Sequence, residues 1–132
     1  MKDFKQLKVW ERSHALAVRV YRVTAKFPAD ERYALTSQIR RAAYSVPTNI
    51  AEACGRNGDA EMARFFDISM GSACELEYLL LLTSDLEYLP KSEYESLTQE
   101  VTEVKRMLAR FIQTLRGKGK QPAVSGQRPA DS

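Results

Sequence analysis

An apolar ladder that crosses a proline without losing phase constrains this chain more than any other feature. From Tyr33 to Arg56 the sequence reads YALTSQIRRAAYSVPTNIAEACGR. Leu35, Ile39, Ala42, Val46, Ile50 and Ala53 recur at steps of three and four, the spacing of one α-helical face. Gln38, Arg41, Ser45, Asn49, Glu52 and Arg56 form a second ladder at the same period. At about 100° per residue this polar ladder borders the apolar face and does not oppose it. Polar side chains placed so regularly beside a core point to helix pairing or assembly through a polar network. Pro47 removes one amide donor and frees the Ala43 carbonyl. The expectation is a kink between Tyr44 and Thr48, with Ser45, Asn49 or water serving that carbonyl.

Three further segments show helical periodicity. Leu7 to Lys26 precedes Phe27-Pro28, and a residue before proline disfavours the helical well. The proline-containing helix is expected to start after an Asp30 N-cap and to leave through Gly55 and Asn57-Gly58. A third helix is expected to start after Asp59 and to continue to about Leu89, before Pro90. The fourth opens with Ser92-Glu93-Tyr94-Glu95, the pattern of a capping box, and ends near Arg116. Residues 1–116 thus read as one helical bundle. Residues 117–132 shift to Gly, Pro, Lys, Gln and Ser, a composition that buries too little apolar area to offset ordering entropy, so this tail is expected to be disordered.

Helix four carries a single seam: Tyr94, Leu97, Val101, Val104, Leu108, Phe111 and Leu115. Helix three carries two. One is Met62, Phe66, Ser69, Ala73, Leu76, Leu80 and Thr83; the other is Phe65, Ile68, Ser72, Glu75, Leu79, Leu82, Leu86 and Leu89. Helix one is also two-faced, through Leu7, Trp10, Ala17, Tyr21 and Thr24 and through Val9, Leu16, Val20, Val23 and Phe27. One four-helix subunit has one shared axis and cannot bury both seams of two helices. The extra apolar surface implies a homo-oligomer. Ser69, Gly71, Ser72 and Ala73 add a stretch of small residues where a close helix contact is expected.

The formal charge of +3 resides in residues 116–132, where Arg116, Lys118, Lys120 and Arg128 stand against Asp131. The remaining body is neutral but split: residues 1–56 hold 11 basic and 5 acidic residues, and residues 57–115 hold 5 basic and 11 acidic. That polarity either steers one subunit half toward the opposite half of another or makes one basic face. It is not the protein-wide cationic field of a non-specific nucleic-acid binder. No apolar run is long enough to span a bilayer and residues 1–10 lack the apolar centre of a secretory leader, so a cytoplasmic protein with no membrane partner is expected. Cys54 and Cys74 fall at core phase without CxxC spacing and read as two buried free thiols.

Catalytic signatures are missing. Glu11 and His14 have the E-x-x-H spacing of di-iron bundles, but His14 is the only histidine and such a site needs a second one. Glu100 and Glu103 share a spacing with Mg²⁺-binding helices, yet they flank the apolar seam and read as solvated. No phosphate-binding loop or nucleophile elbow is present. No cofactor, metal or catalytic residue is assigned, and a non-enzymatic protein is expected.

Glu75 interrupts an apolar seam and therefore requires a cation or several donors. Arg41 is the expected partner, with Asn49, Ser69 and Ser72 in support. Gln38, Arg41, Ser45, Asn49, Glu52, Ser69, Ser72 and Glu75 together form a candidate assembly network, either fixing helix register or lining a polar pore. For RNA or DNA the candidates are Arg40, Arg41, Arg56 and Arg64, with Tyr33 and Tyr44 placed for stacking.

These residues also carry a resemblance. The run Glu31, Tyr33, Leu35, Gln38, Ile39, Arg40, Arg41, Ala42, Ser45, Val46, Pro47, Asn49, Ile50, Ala51, Glu52 and Arg56 resembles the signature of the 23S rRNA intervening-sequence proteins. Phe65, Ser69, Gly71, Ser72, Glu75, Leu76 and Glu77 resemble its second block, and Phe4, Leu7, Val9 and Trp10 its opening. Ala53 stands where the family usually has glycine. The resemblance spans about Phe4 to Leu115 and implies an antiparallel, left-handed, up-down-up-down four-helix bundle that assembles as a homopentamer. It also implies a link to insertions in bacterial 23S rRNA genes and a likeness to the nucleic-acid-binding accessory proteins of diversity-generating retroelements. Two roles follow: an RNA- or DNA-binding accessory protein, or an interaction scaffold without nucleic acid.

Overall fold

A computed structural model describes residues 3–117 of the chain. The described residues are all-helical, with no strand. A short 3-10 turn, Phe4–Gln6, precedes α1 (Lys8–Thr24); a second, Ala29–Glu31, precedes α2 (Leu35–Cys54). α3 (Asp59–Asp85) and α4 (Lys91–Gly117) complete the bundle. Each helix packs on two others, α1 on α2 and α4, and α3 on α2 and α4. Residues 118–132, to which the expected disordered tail belongs apart from Gly117, lie outside the described residues.

The core follows the apolar seams. Leu97, Val101, Val104 and Leu108 of α4 are fully buried, and Tyr94 and Phe111 cover them in part. From α3, Phe66, Ser69, Ala73, Leu76, Leu80 and Thr83 face inward. The second α3 seam behaves differently. Leu79 is buried, but Ile68 is 41% exposed and Leu86, past the helix end, is 46% exposed. The two apolar faces of α3 are therefore not equivalent: one subunit buries the first and covers the second only in part, through Leu79, Leu89, Phe65 and Leu82.

Pro47 does not end α2, which runs unbroken from Leu35 to Cys54. The carbonyls just before it gain side-chain donors. Thr48 Oγ1 donates to the Tyr44 carbonyl at 2.7 Å, Asn49 Nδ2 to Ser45 O at 2.9 Å, and Ser69 Oγ of α3 to Val46 O at 2.9 Å. The expected service of the Ala43 carbonyl by Ser45 or Asn49 is corrected. Asn49 reaches the carbonyl one turn behind it, that of Ser45, and the Ser45 hydroxyl turns toward α3.

Three terminal expectations also change. Asp30 sits in the 3-10 turn and does not cap α2; instead Glu31 Oε1 accepts from the Leu35 amide at 3.4 Å. α4 begins at Lys91, so Ser92 lies inside its first turn, where its hydroxyl cannot act as N-cap and the capping box does not form. α3 stops at Asp85, four residues before the expected Leu89, in a reverse turn. Tyr88 N donates to Thr83 O at 3.0 Å and Glu87 N to Ser84 O at 2.9 Å, a Schellman pair centred on Glu87 at φ 66°. That left-handed position favours glycine. Glu87→Gly is expected to stabilise the fold by about 1 kcal/mol, read as a higher urea midpoint at unchanged m-value.

Candidate functional site

The polar ladder of α2 meets α3 along one line. Gln38 Nε2 donates to Glu75 Oε2 at 3.1 Å. Two turns on along α2, the Ser45 and Ser72 hydroxyls are 2.7 Å apart, and Asn49 Nδ2 lies 3.1 Å from Ser45 Oγ. Ser69 is fully buried beneath them on the Val46 carbonyl. Arg41 is not the partner of Glu75. It lies about 60° further round α2 than Gln38, on the solvent side, and makes no ion pair among the described residues. Glu52 is also exposed and pairs within its own helix with Arg56 at 2.9 Å. The network thus comprises Gln38, Ser45, Asn49, Ser69, Ser72 and Glu75, and it stitches α2 to α3.

The candidate nucleic-acid residues do not converge on one patch. Arg40 is engaged by the fold: Nε donates to Thr24 Oγ1 at 2.8 Å, Nη2 to the Tyr21 carbonyl at 3.1 Å, and the guanidinium stands 4.6 Å from the Tyr21 ring. It closes the last turn of α1, where a cation suits the helix dipole. Arg56 and Arg64 flank the Phe65 ring, each 4.6 Å from its centre, and are paired with Glu52 and Glu61. Tyr33 is 89% exposed, with the Arg32 guanidinium 5.9 Å from its ring. It lies at the far end of α2 from Arg56, about 30 Å away by helical rise. Tyr44 is half exposed, in a groove on the α1 side.

Two ion pairs join the basic half of the chain to the acidic half, and two more neutralise acids of the second half from Lys105 and Arg116. Arg12 grips Glu100 through Nη2 at 3.0 Å, Arg19 meets Glu93 at 3.3 Å, Lys105 meets Glu77 at 2.7 Å, and Arg116 meets Asp67 at 2.5 Å. Hydrogen bonds donated to Glu100, Glu77 and Asp67 raise the pKa values of Arg12, Lys105 and Arg116 respectively. These pairs remain partly exposed, so each adds little stability. Glu103 is held by Arg106 at 2.6 Å, which leaves neither Glu100 nor Glu103 presented as an open metal ligand. His14 stacks on Trp10, ring centres 4.9 Å apart. Cys54 is buried as expected, whereas Cys74 is exposed: its position falls on the outer flank of α3, not on the seam.

One feature had no counterpart in the sequence patterns. Between α1 and α2 lies an apolar groove of about 900 Å³, walled by Trp10, Val18, Tyr21, Tyr44 and Ala51 and floored by Pro47. Two weak signals were available, the aromatic residues Trp10 and Tyr21 on the second face of α1.

With this geometry in view, the sequence model of the 23S rRNA-intervening sequence protein family matches residues 5–110. The chain belongs to this family. Its fold is similar to a crystal structure, at 1.70 Å, of a protein with unknown function from the S23 ribosomal protein family of Bacteroides thetaiotaomicron VPI-5482. The two share 29% identity and a TM-score of 0.72, over 80% of this chain and 98% of the other. No curated protein matches the chain. The match to the intervening-sequence family covers the polar stitch, Pro47, the α1/α2 groove and the outer face of α3. In this family member no helix of the described residues is long and apolar enough to cross a membrane.

Proposed function

We propose that the chain is a non-enzymatic, cytoplasmic helical-bundle protein that works as a closed homo-oligomer, five-membered by its resemblance to the family. The observation that carries this reading is apolar surface left uncovered on two sides of the subunit. Tyr21 and Tyr44 are exposed beside the α1/α2 groove, and Ile68, Tyr78 and Leu81 on α3. Light scattering at micromolar concentration tests it; a species of 15.0 kDa alone would reject it. The proposed subunit topology is up-down-up-down and left-handed, with α2 bent at Pro47. Pairing of Arg12 with Glu100 and Arg19 with Glu93, and of Gln38 with Glu75 and Ser45 with Ser72, runs in opposite sequence directions and supports antiparallel neighbours.

Within this reading the oligomer is an accessory protein that contacts RNA or DNA. Support comes from the exposed Tyr33 ring beside Arg32 and from Arg41, which has no ion pair among the described residues. An aromatic face next to a cation suits stacking on an unpaired base, and repetition around an oligomer adds avidity to a weak single site. Titration of a structured RNA, followed by fluorescence anisotropy at 50 and 200 mM salt, is the test. Affinity is expected to fall steeply with salt, with the slope reduced by about 1 in Arg41→Ala. Arg40→Ala is unsuitable as a binding probe because Arg40 holds the end of α1. Absence of binding at low salt would leave the scaffold role alone.

A further inference from the structure

We infer that the α1/α2 groove is the socket for the outer face of α3 of a second copy of the chain, so that copies join head to tail; this rests on the proposed reading of the protein as an assembling bundle. The groove is apolar inside and basic at its mouth. Arg22 lines it and makes no ion pair among the described residues, and the Arg40 guanidinium covers Tyr21 at its edge. Its one lining carboxylate, Glu52, is neutralised by Arg56.

The outer face of α3 has the complementary character. Ile68, Tyr78 and Leu81 are exposed around Gly71, where an added methyl group meets no atom within 4 Å beyond its chain neighbours and the adjoining backbone of α3. Glycine in mid-helix sacrifices helix propensity. Inside one subunit nothing compensates, whereas close approach of a neighbouring wall would. Of the flanking acids, Asp67 is balanced by Arg116, whereas Glu75 accepts only from the neutral Gln38 amide and Asp85 has no ion pair among the described residues. An apolar groove with a basic mouth thus matches an apolar ridge with an acidic flank.

The two surfaces do not meet within a subunit, since α1 and α3 lie diagonally across the bundle. They are also unlike one another. A contact between unlike patches is heterologous and repeats from copy to copy until a ring closes, in contrast to the self-complementary patch of a two-fold dimer.

Complementation between two blocked variants tests this pairing. Tyr44→Glu places a charge in the groove, and Gly71→Glu places one on the ridge. Gly71→Glu raises helix propensity and clashes with nothing in its own subunit, so loss of assembly in it is not unfolding; far-UV circular dichroism checks both variants. Each alone is expected to run at the 15.0 kDa subunit mass. Mixed in equal amounts they are expected to form a one-to-one pair, because the open ridge of the first seats in the open groove of the second. Any other mass in the mixture, or either variant retaining the wild-type mass, overturns the pairing. A wild-type chain that is already a monomer overturns the assembly reading itself.

Discussion

Phe66→Ala is expected to lower the unfolding free energy by about 3–5 kcal/mol. Phe66 has no exposed surface and its ring centre lies 4.7 Å from that of Phe111, so it joins α3 to α4. Truncation removes the transfer energy of the ring and leaves a cavity, because neighbours on rigid helices collapse only in part. Total stabilities of small domains are about 5–15 kcal/mol, so this one change takes a large fraction of the whole. Ile68→Ala, two residues away and 41% exposed, is the control: the isolated subunit is expected to lose less than about 1 kcal/mol. Urea titrations followed by circular dichroism at nanomolar concentration compare the two. Equal losses would mean that the two faces of α3 are packed alike, contrary to the structure.

That contrast marks how far the sequence could be read. The 3–4 spacing in α4 identified Leu97, Val101, Val104 and Leu108 correctly because periodicity reports which face a helix buries. It also exposed the second seam of α3. It could not rank the two seams, since rank depends on where α2 and α4 sit around α3. The polar ladder of α2 was legible as a ladder, but its partners were not. Charge and a place on the ladder point to Arg41 as the partner of Glu75, but a rotation of about 60° around the helix gives that place to Gln38. Arg40 reads as a free cation until α1 ends beside it, and Trp10, Tyr21 and Tyr44 read as three separate aromatics until the packing of α1 on α2 gathers them in one groove. Helix ends were lost for a local reason. Glu87 adopts a left-handed conformation that sequence patterns assign to glycine, so α3 had no visible stop before Pro90.

The stitch across Pro47 leads to the second large effect. Ser69 is fully buried on α3, and its hydroxyl holds the carbonyl of Val46, the residue just before the proline. Ser69→Val is expected to destabilise the fold by about 2–4 kcal/mol: roughly 1 from the lost hydrogen bond and 1–3 from forcing a branched side chain into a closed contact. Ser69→Ala removes the hydroxyl without adding bulk and separates the two contributions. Its expected cost is about 1 kcal/mol, because the Val46 carbonyl sits in an α2 that remains helical beyond the proline and is not left wholly unbonded. Urea unfolding of both variants beside the wild type gives the comparison. If Ser69→Ala proves neutral, the hydroxyl does not anchor α2, and side chains within that helix, Thr48 and Asn49, are enough to hold it together across its missing amide. If both variants lose the same amount, the contact has room for a valine, and the approach of α2 to α3 at this point is looser than the buried surface of Ser69 indicates.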